Sequence, residues 1–231
     1  MDKKTVYSLG YALIFSLALL AGISGWNNLL VLLHPLVYLY LMLYLQQCAS
    51  LKGRFHKRLL KGLILSFLAD ILFRYAGTNT SLYLGALFSF LIAHLYFISA
   101  FYLDFKSAQE LDKKGAKWAI GSSAIVFSLF YLQIRSHLGA YRLPVIVYIF
   151  IVSLLLMMAL FRNRRVNTQS FRMVLAGVIF CVLADAGLLY GHFTTGISNA
   201  STWIFALYMI ALYLIISGGV SRELIYKQTE V

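Results

Sequence analysis

Two aspartates lie inside apolar stretches of the chain, where an ionised side chain is costly. Asp70 and Asp185 each stand in a hydrophobic run long enough to form a membrane-spanning helix. A charged Asp at the centre of such a helix costs about 2.5–3.5 kcal/mol on insertion scales, so it usually faces a helix-bundle interior or a wet cavity. We therefore expect these two carboxyls to have a function beyond hydrogen bonding to a neighbouring helix.

The two aspartates are also predicted to lie at the same depth. Asp70 is six residues before Ala76 and Asp185 is six before Gly191, in helices that both run outward. At about 1.5 Å rise per residue, each carboxyl lies roughly 9 Å below the outer helix end. Burial and mutual repulsion in a shared cavity favour one protonated and one ionised carboxyl. Such a pair can carry out acid–base hydrolysis through an oxocarbenium-like state.

The elements that position these residues are predicted from the apolar pattern. Hydrophobic residues form 61% of the 231 residues, charged residues form 12%, and the mean hydropathy is +0.80. A soluble domain needs more polar surface, so we predict one all-α membrane domain over 1–231. Its eight spans are predicted near 5–24, 29–47, 59–75, 81–103, 117–134, 143–161, 171–190 and 200–221. The third and fifth spans are the weakest, because Lys61 and Arg74 must reach the two interfaces beside the third and because the fifth is short and rich in Ser and Gly.

The basic residues predict the orientation of this polytopic bundle. With both termini inside, the inner side collects 17 of the 20 basic residues, and only Arg74, Arg135 and Arg142 fall outside. This asymmetry is typical of membrane proteins and predicts an N-in, C-in arrangement, in the inner membrane if the source is bacterial. The formal net charge of +12 is thus explained by contact with anionic lipid rather than with nucleic acid.

The chain also contains an internal similarity at an offset of 115 residues. Seven of sixteen aligned positions are identical between the third and seventh predicted spans. They are Leu60, Gly62, Ile64, Leu68, Ala69, Asp70 and Tyr75, matched by Leu175, Gly177, Ile179, Leu183, Ala184, Asp185 and Tyr190. Pro35 and Pro144 likewise stand early in the second and sixth spans. We predict a parallel 4+4 repeat with halves 1–115 and 116–231.

No metal or cofactor site is predicted. The histidines are scattered over separate segments without metal-ligand spacing, and His94 lies alone in the fourth span. Cys48 and Cys181 both stand in apolar runs and are expected to be unpaired, buried thiols. No phosphate-binding glycine loop or nucleophile elbow appears in the sequence.

Several of these segments resemble those of the YhhN-like lysoplasmalogenase family. The residues 65–72, Leu-Ser-Phe-Leu-Ala-Asp-Ile-Leu, are similar to that family's third-helix acidic motif. Its fourth helix is similar to residues 84–88, 93–96 and 100–101. Its sixth helix is similar to the segment that contains Pro144, Tyr148, Ser153 and Met157. Its seventh helix is similar to residues 176–180 with Ala184, Asp185 and Phe193. The resemblance covers roughly 30–217 and implies an eight-helix enzyme that cleaves the vinyl ether bond of lysoplasmalogens, releasing a fatty aldehyde and a glycerophospho-base.

The resemblance also implies roles for particular residues. The family's two intramembrane aspartates match Asp70 and Asp185, which are expected to be catalytic without metal or cofactor. His94, Tyr148 and Tyr208 are expected to contact the substrate, a lysophospholipid taken from the membrane lipid.

Four positions depart from the family's pattern. Ala69 and Ala184 replace the usual Gly and Ser before the aspartates, His34 replaces the Lys before Pro35, and Leu212 replaces a Gln. These departures keep open a non-enzymatic membrane protein derived from an enzyme. The paired buried carboxylates and the repeat also suit a proton-coupled carrier, which is the second alternative. An intramembrane aspartyl protease is disfavoured because its Gly-Asp motif is missing.

Overall fold

The predicted spans are helices in the computed structural model, which describes residues 3–49, 51, 53–76, 79–107, 113–194 and 200–225. In this part of the chain there are eight α-helices. They are α1 (Lys3–Ile23), α2 (Asn27–Cys48), α3 (Arg54–Ala76), α4 (Thr80–Phe105), α5 (Lys113–Ile134), α6 (Arg142–Leu160), α7 (Thr168–Phe193) and α8 (Ala200–Val220). Two short 3₁₀ turns, Arg135–His137 and Gly139–Tyr141, join α5 to α6. The all-α class is therefore confirmed.

Seven of the described helices are long and apolar enough to cross a membrane, so the fold is that of a multi-pass membrane protein. The exception is α3, although it has 23 residues. Its first eight residues include Arg54, Lys57, Arg58 and Lys61, which lower its mean hydropathy. The sequence predicted eight spans, of which seven are supported; a crossing by α3 would require its basic side chains to reach the interface.

The outer surface of the bundle is apolar. Leu13, Leu32, Phe88, Ile125 and Leu143 are each more than 60% exposed. A water-soluble protein does not display so many large exposed hydrophobic side chains over its helices, whereas contact with lipid tails accounts for them. The apolar exterior therefore agrees with the membrane assignment.

Close helix packing occurs where α3 meets α4 and where α7 meets α8. A Cβ atom on Gly62 of α3 would lie 2.6 Å from the Phe97 ring of α4. A Cβ atom on Gly177 of α7 would lie 2.8 Å from the Ala211 carbonyl oxygen of α8. Glycine is needed at both positions because only its absent side chain permits this approach.

One expectation about buried charge needs correction. The sequence placed only two acidic residues within the spans, because the fourth span was predicted to end at 103. The helix α4 continues to Phe105 and so includes Asp104, which is fully buried. The predicted span stopped at 103 because a carboxyl breaks the apolar pattern. Asp104 can nevertheless be buried in the helix because arginines from distant parts of the chain pair with it.

Candidate functional site

A cavity of about 420 Å³ opens among α1, α2, α3, α4, α7 and α8. Its polar lining consists of His34, Asp70, Arg74, Asp185, Thr202 and Tyr208. The remaining lining side chains are apolar or small, from Ala18 and Gly22 on α1 to Phe205 on α8. The two aspartates that the sequence singled out thus line one cavity, although they come from helices α3 and α7.

Asp70 faces a histidine across the cavity wall. The Nδ1 atom of His34 on α2 lies 3.2 Å from Oδ2 of Asp70. The imidazole of His34 stacks on the ring of Phe205 with centroids 3.7 Å apart, which fixes its orientation. The side chain of Asp70 is 22% exposed, so it remains in contact with the cavity. The sequence identified His34 only as a departure from a lysine; the structure places it against the first aspartate.

Asp185 is more deeply enclosed. The hydroxyl of Tyr148 on α6 donates a hydrogen bond of 2.8 Å to Oδ1 of Asp185. The other carboxylate oxygen lies 3.4 Å from Nε2 of His94 and 3.8 Å from the Sγ atom of Cys181. Only 4% of Asp185 is exposed. A side chain on each of α4 and α6 therefore holds this carboxyl in place.

The three predicted substrate-contact residues occupy two different positions. Tyr208 on α8 lines the cavity, and its hydroxyl lies 3.2 Å from Oγ of Ser66 on α3. His94 and Tyr148 lie behind Asp185 and contact its carboxyl group. The structure therefore places Tyr208 beside the cavity and the other two where they can orient Asp185.

Arg74 lines the cavity, although the sequence did not indicate that it belongs to the site. It follows Asp70 by four residues on α3, and residues four apart share one face of a helix. That spacing was readable from the sequence, but Arg74 was interpreted only as a residue at the helix end.

The His94, Cys181 and Asp185 side chains also form a group of potential metal ligands. One ligand atom from each lies within 4.8 Å of the others, although the sequence predicted no metal. Imidazole, thiolate and carboxylate are zinc ligands, so the donor types fit a metal. However, Nδ1 of His94 has no hydrogen-bond partner among the described residues, whereas a metal-bound histidine normally donates its second N–H. In the structure the three side chains are already hydrogen-bonded in a row, with Nε2 of His94 3.4 Å from the Cys181 sulfur and that thiol donating to Oδ2 of Asp185 at 3.8 Å.

Contacts at the site recur between helices that are four apart in the chain. Ser66 of α3 is paired with Tyr208 of α8, and Cys181 of α7 lies 3.4 Å from Nε2 of His94 on α4. Ser66 and Cys181 are separated by 115 residues, and α8 and α4 are four helices apart. The aspartates likewise receive contacts from the preceding helices, α2 for the first and α6 for the second. The partners Tyr208 and His94 are separated by 114 residues, so equivalent helices, rather than strictly equivalent positions, make the contacts on the two sides of the cavity.

A second polar cluster lies at the opposite end of α4. Nε of Arg162 donates to Oδ2 of Asp104 at 2.7 Å, and Arg222 approaches Oδ1 at 2.6 Å. Nη2 of Arg162 also donates to the Ser170 hydroxyl at 2.9 Å. Burial lowers the pKa of Arg162, and the neighbouring Asp104 carboxylate opposes this change. Because Asp104 is ten residues from His94, about 15 Å along α4, the cluster is separate from the cavity.

Comparison with known proteins assigns the family. No curated protein and no solved structure was found to be similar to the chain. The model of the YhhN family matches residues 29–219. This range includes both aspartates and every polar residue that lines the cavity. The match spans more than half of the chain, which therefore belongs to the YhhN family.

Proposed function

We propose that this protein is a membrane hydrolase that cleaves the vinyl ether bond of lysoplasmalogens. The observation that carries the proposal is the joint position of Asp70 and Asp185 on one cavity. Two carboxyl groups beside one small space can supply an acid and a base to the same bond. The YhhN family assignment agrees with such an enzyme.

The lining of the cavity suits an amphipathic, single-chain lipid. Leu30, Phe73, Leu188 and Ile204 provide apolar surface for an alkenyl chain. His34, Arg74 and the two aspartates provide polar contacts for a headgroup and for the reacting bond. Pockets with mostly apolar walls and a few convergent polar groups commonly bind small ligands. The substrate would enter laterally from the bilayer or from its outer side.

The reaction requires one proton donor and one activated water molecule. The acid transfers its proton to the vinyl carbon farther from the ether oxygen, which leaves an oxocarbenium ion. The other carboxylate accepts a proton from water as the water oxygen attacks the carbon bonded to that oxygen. The resulting hemiacetal then collapses to a fatty aldehyde and a free glycerol hydroxyl, so that one water is consumed and neither metal nor cofactor takes part.

The surroundings of the two aspartates divide these roles. Asp185 is the more buried, and withdrawal from water favours the neutral form of a carboxyl. It therefore suits the acid, with Tyr148 and His94 orienting it. Asp70 is more exposed to the cavity and lies beside the His34 imidazole. It suits the base that positions and deprotonates the water.

The paired arrangement of the site supports a duplicated origin. The equivalent positions of Ser66 and Cys181, and of Asp70 and Asp185, agree with the parallel repeat of halves 1–115 and 116–231. A duplicated four-helix unit would supply one aspartate from each half and bring both to a common central cavity. We propose this origin together with the N-in, C-in orientation of the bundle.

The decisive experiment measures aldehyde release from lysoplasmenylethanolamine by detergent-purified protein. The wild type is compared with Asp70→Asn and Asp185→Asn, with and without a chelator. Both substitutions are expected to abolish release, because each removes one ionisable group while preserving side-chain shape. Chelation is expected to have no effect. The matched control is Glu223→Gln, which removes an exposed carboxyl outside the cavity.

Each result has a defined meaning. Release that survives both aspartate substitutions would refute the two-carboxylate mechanism, and release lost to chelation would restore the metal interpretation. A folded wild type without any release would favour the carrier or the non-enzymatic alternative. Uptake into proteoliposomes that depends on a proton gradient would then identify the carrier.

A further inference from the structure

Arg74 places a positive charge in the same cavity as the two aspartates. It stands four residues after Asp70, so its Cα lies about 6 Å farther along α3 toward the predicted outer end. Arg74 is partly exposed, and Asp70 precedes it on the same helix face. The backbone of Arg74 therefore lies closer to the outer end of the site than that of Asp70, and its side chain lines the same cavity.

No carboxylate of the described residues forms an ion pair with Arg74. Asp70 is engaged by His34, and Asp185 is engaged by Tyr148 and His94. The buried Arg162, by contrast, is neutralised by Asp104. An arginine that lines a cavity in a membrane domain is costly unless water or an anion solvates it. The cavity thus offers an uncommitted cation to whatever occupies it.

The distribution of charge leads independently to Arg74. It is one of only three basic residues outside the predicted inner side, with Arg135 and Arg142. The preference of basic residues for the inner side therefore does not explain its position. A direct role in ligand binding does, because guanidinium groups bind phosphate oxygens through two parallel hydrogen bonds.

We propose that Arg74 binds the phosphate group of the substrate and makes the enzyme selective for phosphate-bearing vinyl ethers over neutral ones. This inference rests on the proposed function for the identity of the ligand. In a lysoplasmalogen, the three-carbon glycerol backbone separates the vinyl ether oxygen from the phosphate ester oxygen. A phosphate held by Arg74 therefore leaves the vinyl ether about one helical turn deeper, at the level of Asp70 and Asp185.

The experiment compares two substrates that differ in the phosphate. One is lysoplasmenylethanolamine, and the other is a 1-alkenylglycerol of the same chain length. Arg74→Gln is expected to raise KM for the phospholipid roughly 10- to 100-fold, the range for losing a charge-assisted hydrogen bond. The increase in KM that Arg74→Gln causes for the alkenylglycerol should be at least about tenfold smaller than the increase for the phospholipid. Arg74→Lys, which retains the charge but not the planar fork, should fall between wild type and Arg74→Gln.

The matched control is Arg142→Gln, which removes an exposed basic residue outside the cavity. It is expected to leave both substrates unaffected. Equal losses on both substrates in Arg74→Gln would overturn the proposal, because they would indicate a general effect on the site. An unchanged KM for the phospholipid would overturn it as well.

A binding measurement separates this proposal from the hydrolase itself. The probe is a 1-alkyl lysophosphoethanolamine, which lacks the vinyl group and is not cleaved, and the readout is thermal stabilisation in detergent. Stabilisation of the wild type that Arg74→Gln loses would support phosphate binding even if no aldehyde is ever released. Equal stabilisation of both proteins, or none of the wild type, would overturn the role of Arg74.

Discussion

At the scale of single residues, the two aspartates differ in their neighbours rather than in their type. Asp70 meets one imidazole and the cavity, whereas Asp185 meets a tyrosine hydroxyl, an imidazole and a thiol. One chemical group can thus perform two roles, because its surroundings decide which form is stable. The Tyr148 hydroxyl is the closest of these neighbours and the simplest to remove.

Tyr148→Phe is therefore expected to lower kcat for aldehyde release by roughly tenfold or more, with little change in KM. The substitution removes the hydrogen bond that Tyr148 donates to the enclosed Asp185 carboxyl, and leaving a buried acceptor without its partner costs about 1–3 kcal/mol. Steady-state kinetics on lysoplasmenylethanolamine would measure the effect. A larger change in KM than in kcat would show that Tyr148 contacts the substrate instead.

Tyr38→Phe is the matched control for this prediction. Tyr38 is fully buried, and its hydroxyl has no hydrogen-bond partner among the described residues. Removing it should leave kcat unchanged and should not destabilise the protein, because no bond is lost. A comparable loss of kcat in Tyr38→Phe would mean that any buried hydroxyl near the cavity affects the reaction.

The sequence and the family resemblance named the aspartates, His94 and Tyr148 as site residues but did not assign His34 or Arg74 to the site, and the reason is physical. A carboxyl in an apolar run is conspicuous because its burial is costly, so Asp70 and Asp185 stand out without any structure. His34 lies about two turns into α2, and its proximity to Asp70 depends on how α2 and α3 pack, which the apolar pattern does not specify. Arg74 stands near the end of α3, where a basic residue is ordinary, and only the packing of the helices shows that its face lines a cavity.

At the scale of helices, the apolar runs predicted each of the eight described α-helices but placed some ends incorrectly. The runs identify residues that lie in lipid, whereas a helix continues while its backbone hydrogen bonds are satisfied. α4 continues through Asp104 and α7 extends to Phe193, beyond the predicted end at 190. The contacts between helices depend instead on small residues such as Gly62 and Gly177, which the internal similarity had already paired.

Gly177→Ala is expected to lower the thermal midpoint of the purified protein. The added methyl group would lie 2.8 Å from the Ala211 carbonyl oxygen and 2.9 Å from the Ile215 nitrogen, so α7 and α8 must separate. Overpacking of this kind typically costs about 1–3 kcal/mol. Thermal unfolding in one detergent would measure the shift, and an unchanged midpoint would refute the close approach of α7 and α8.

Gly121→Ala provides the opposite case in α5. No atom lies within 4 Å of a Cβ built at Gly121, so the methyl group meets open space. Alanine favours a helix by about 1 kcal/mol relative to glycine, and the midpoint should stay constant or rise. A fall as large as that of Gly177→Ala would mean that alanine is disfavoured at helical glycines generally in this protein.

At the scale of the whole molecule, the polar groups gather in two separate places. The cavity lies toward the predicted outer side, and the ion-pair cluster of Asp104, Arg162 and Arg222 lies toward the predicted inner side. The cluster connects the end of α4 with the segments that follow α6 and α8, and Ser170 adds the start of α7. We infer that the cluster holds the inner ends of these helices together while the outer side accommodates the ligand.

Asp104→Asn should therefore destabilise the protein without altering the chemistry of the site. The substitution leaves two arginines without their shared carboxylate, and one of them, Arg162, is 0% exposed. Breaking a buried ion pair by removing one partner costs about 3–5 kcal/mol, so the thermal midpoint should fall markedly. The protein that remains folded should retain the wild-type KM and kcat, because Asp104 is about 15 Å from His94 along α4. Glu223→Gln, which removes an exposed carboxyl from the same side, is the matched control and should change neither quantity. An unchanged midpoint in Asp104→Asn would show that the cluster does not hold the helix ends, and a reduced kcat at an unchanged midpoint would connect it to the cavity.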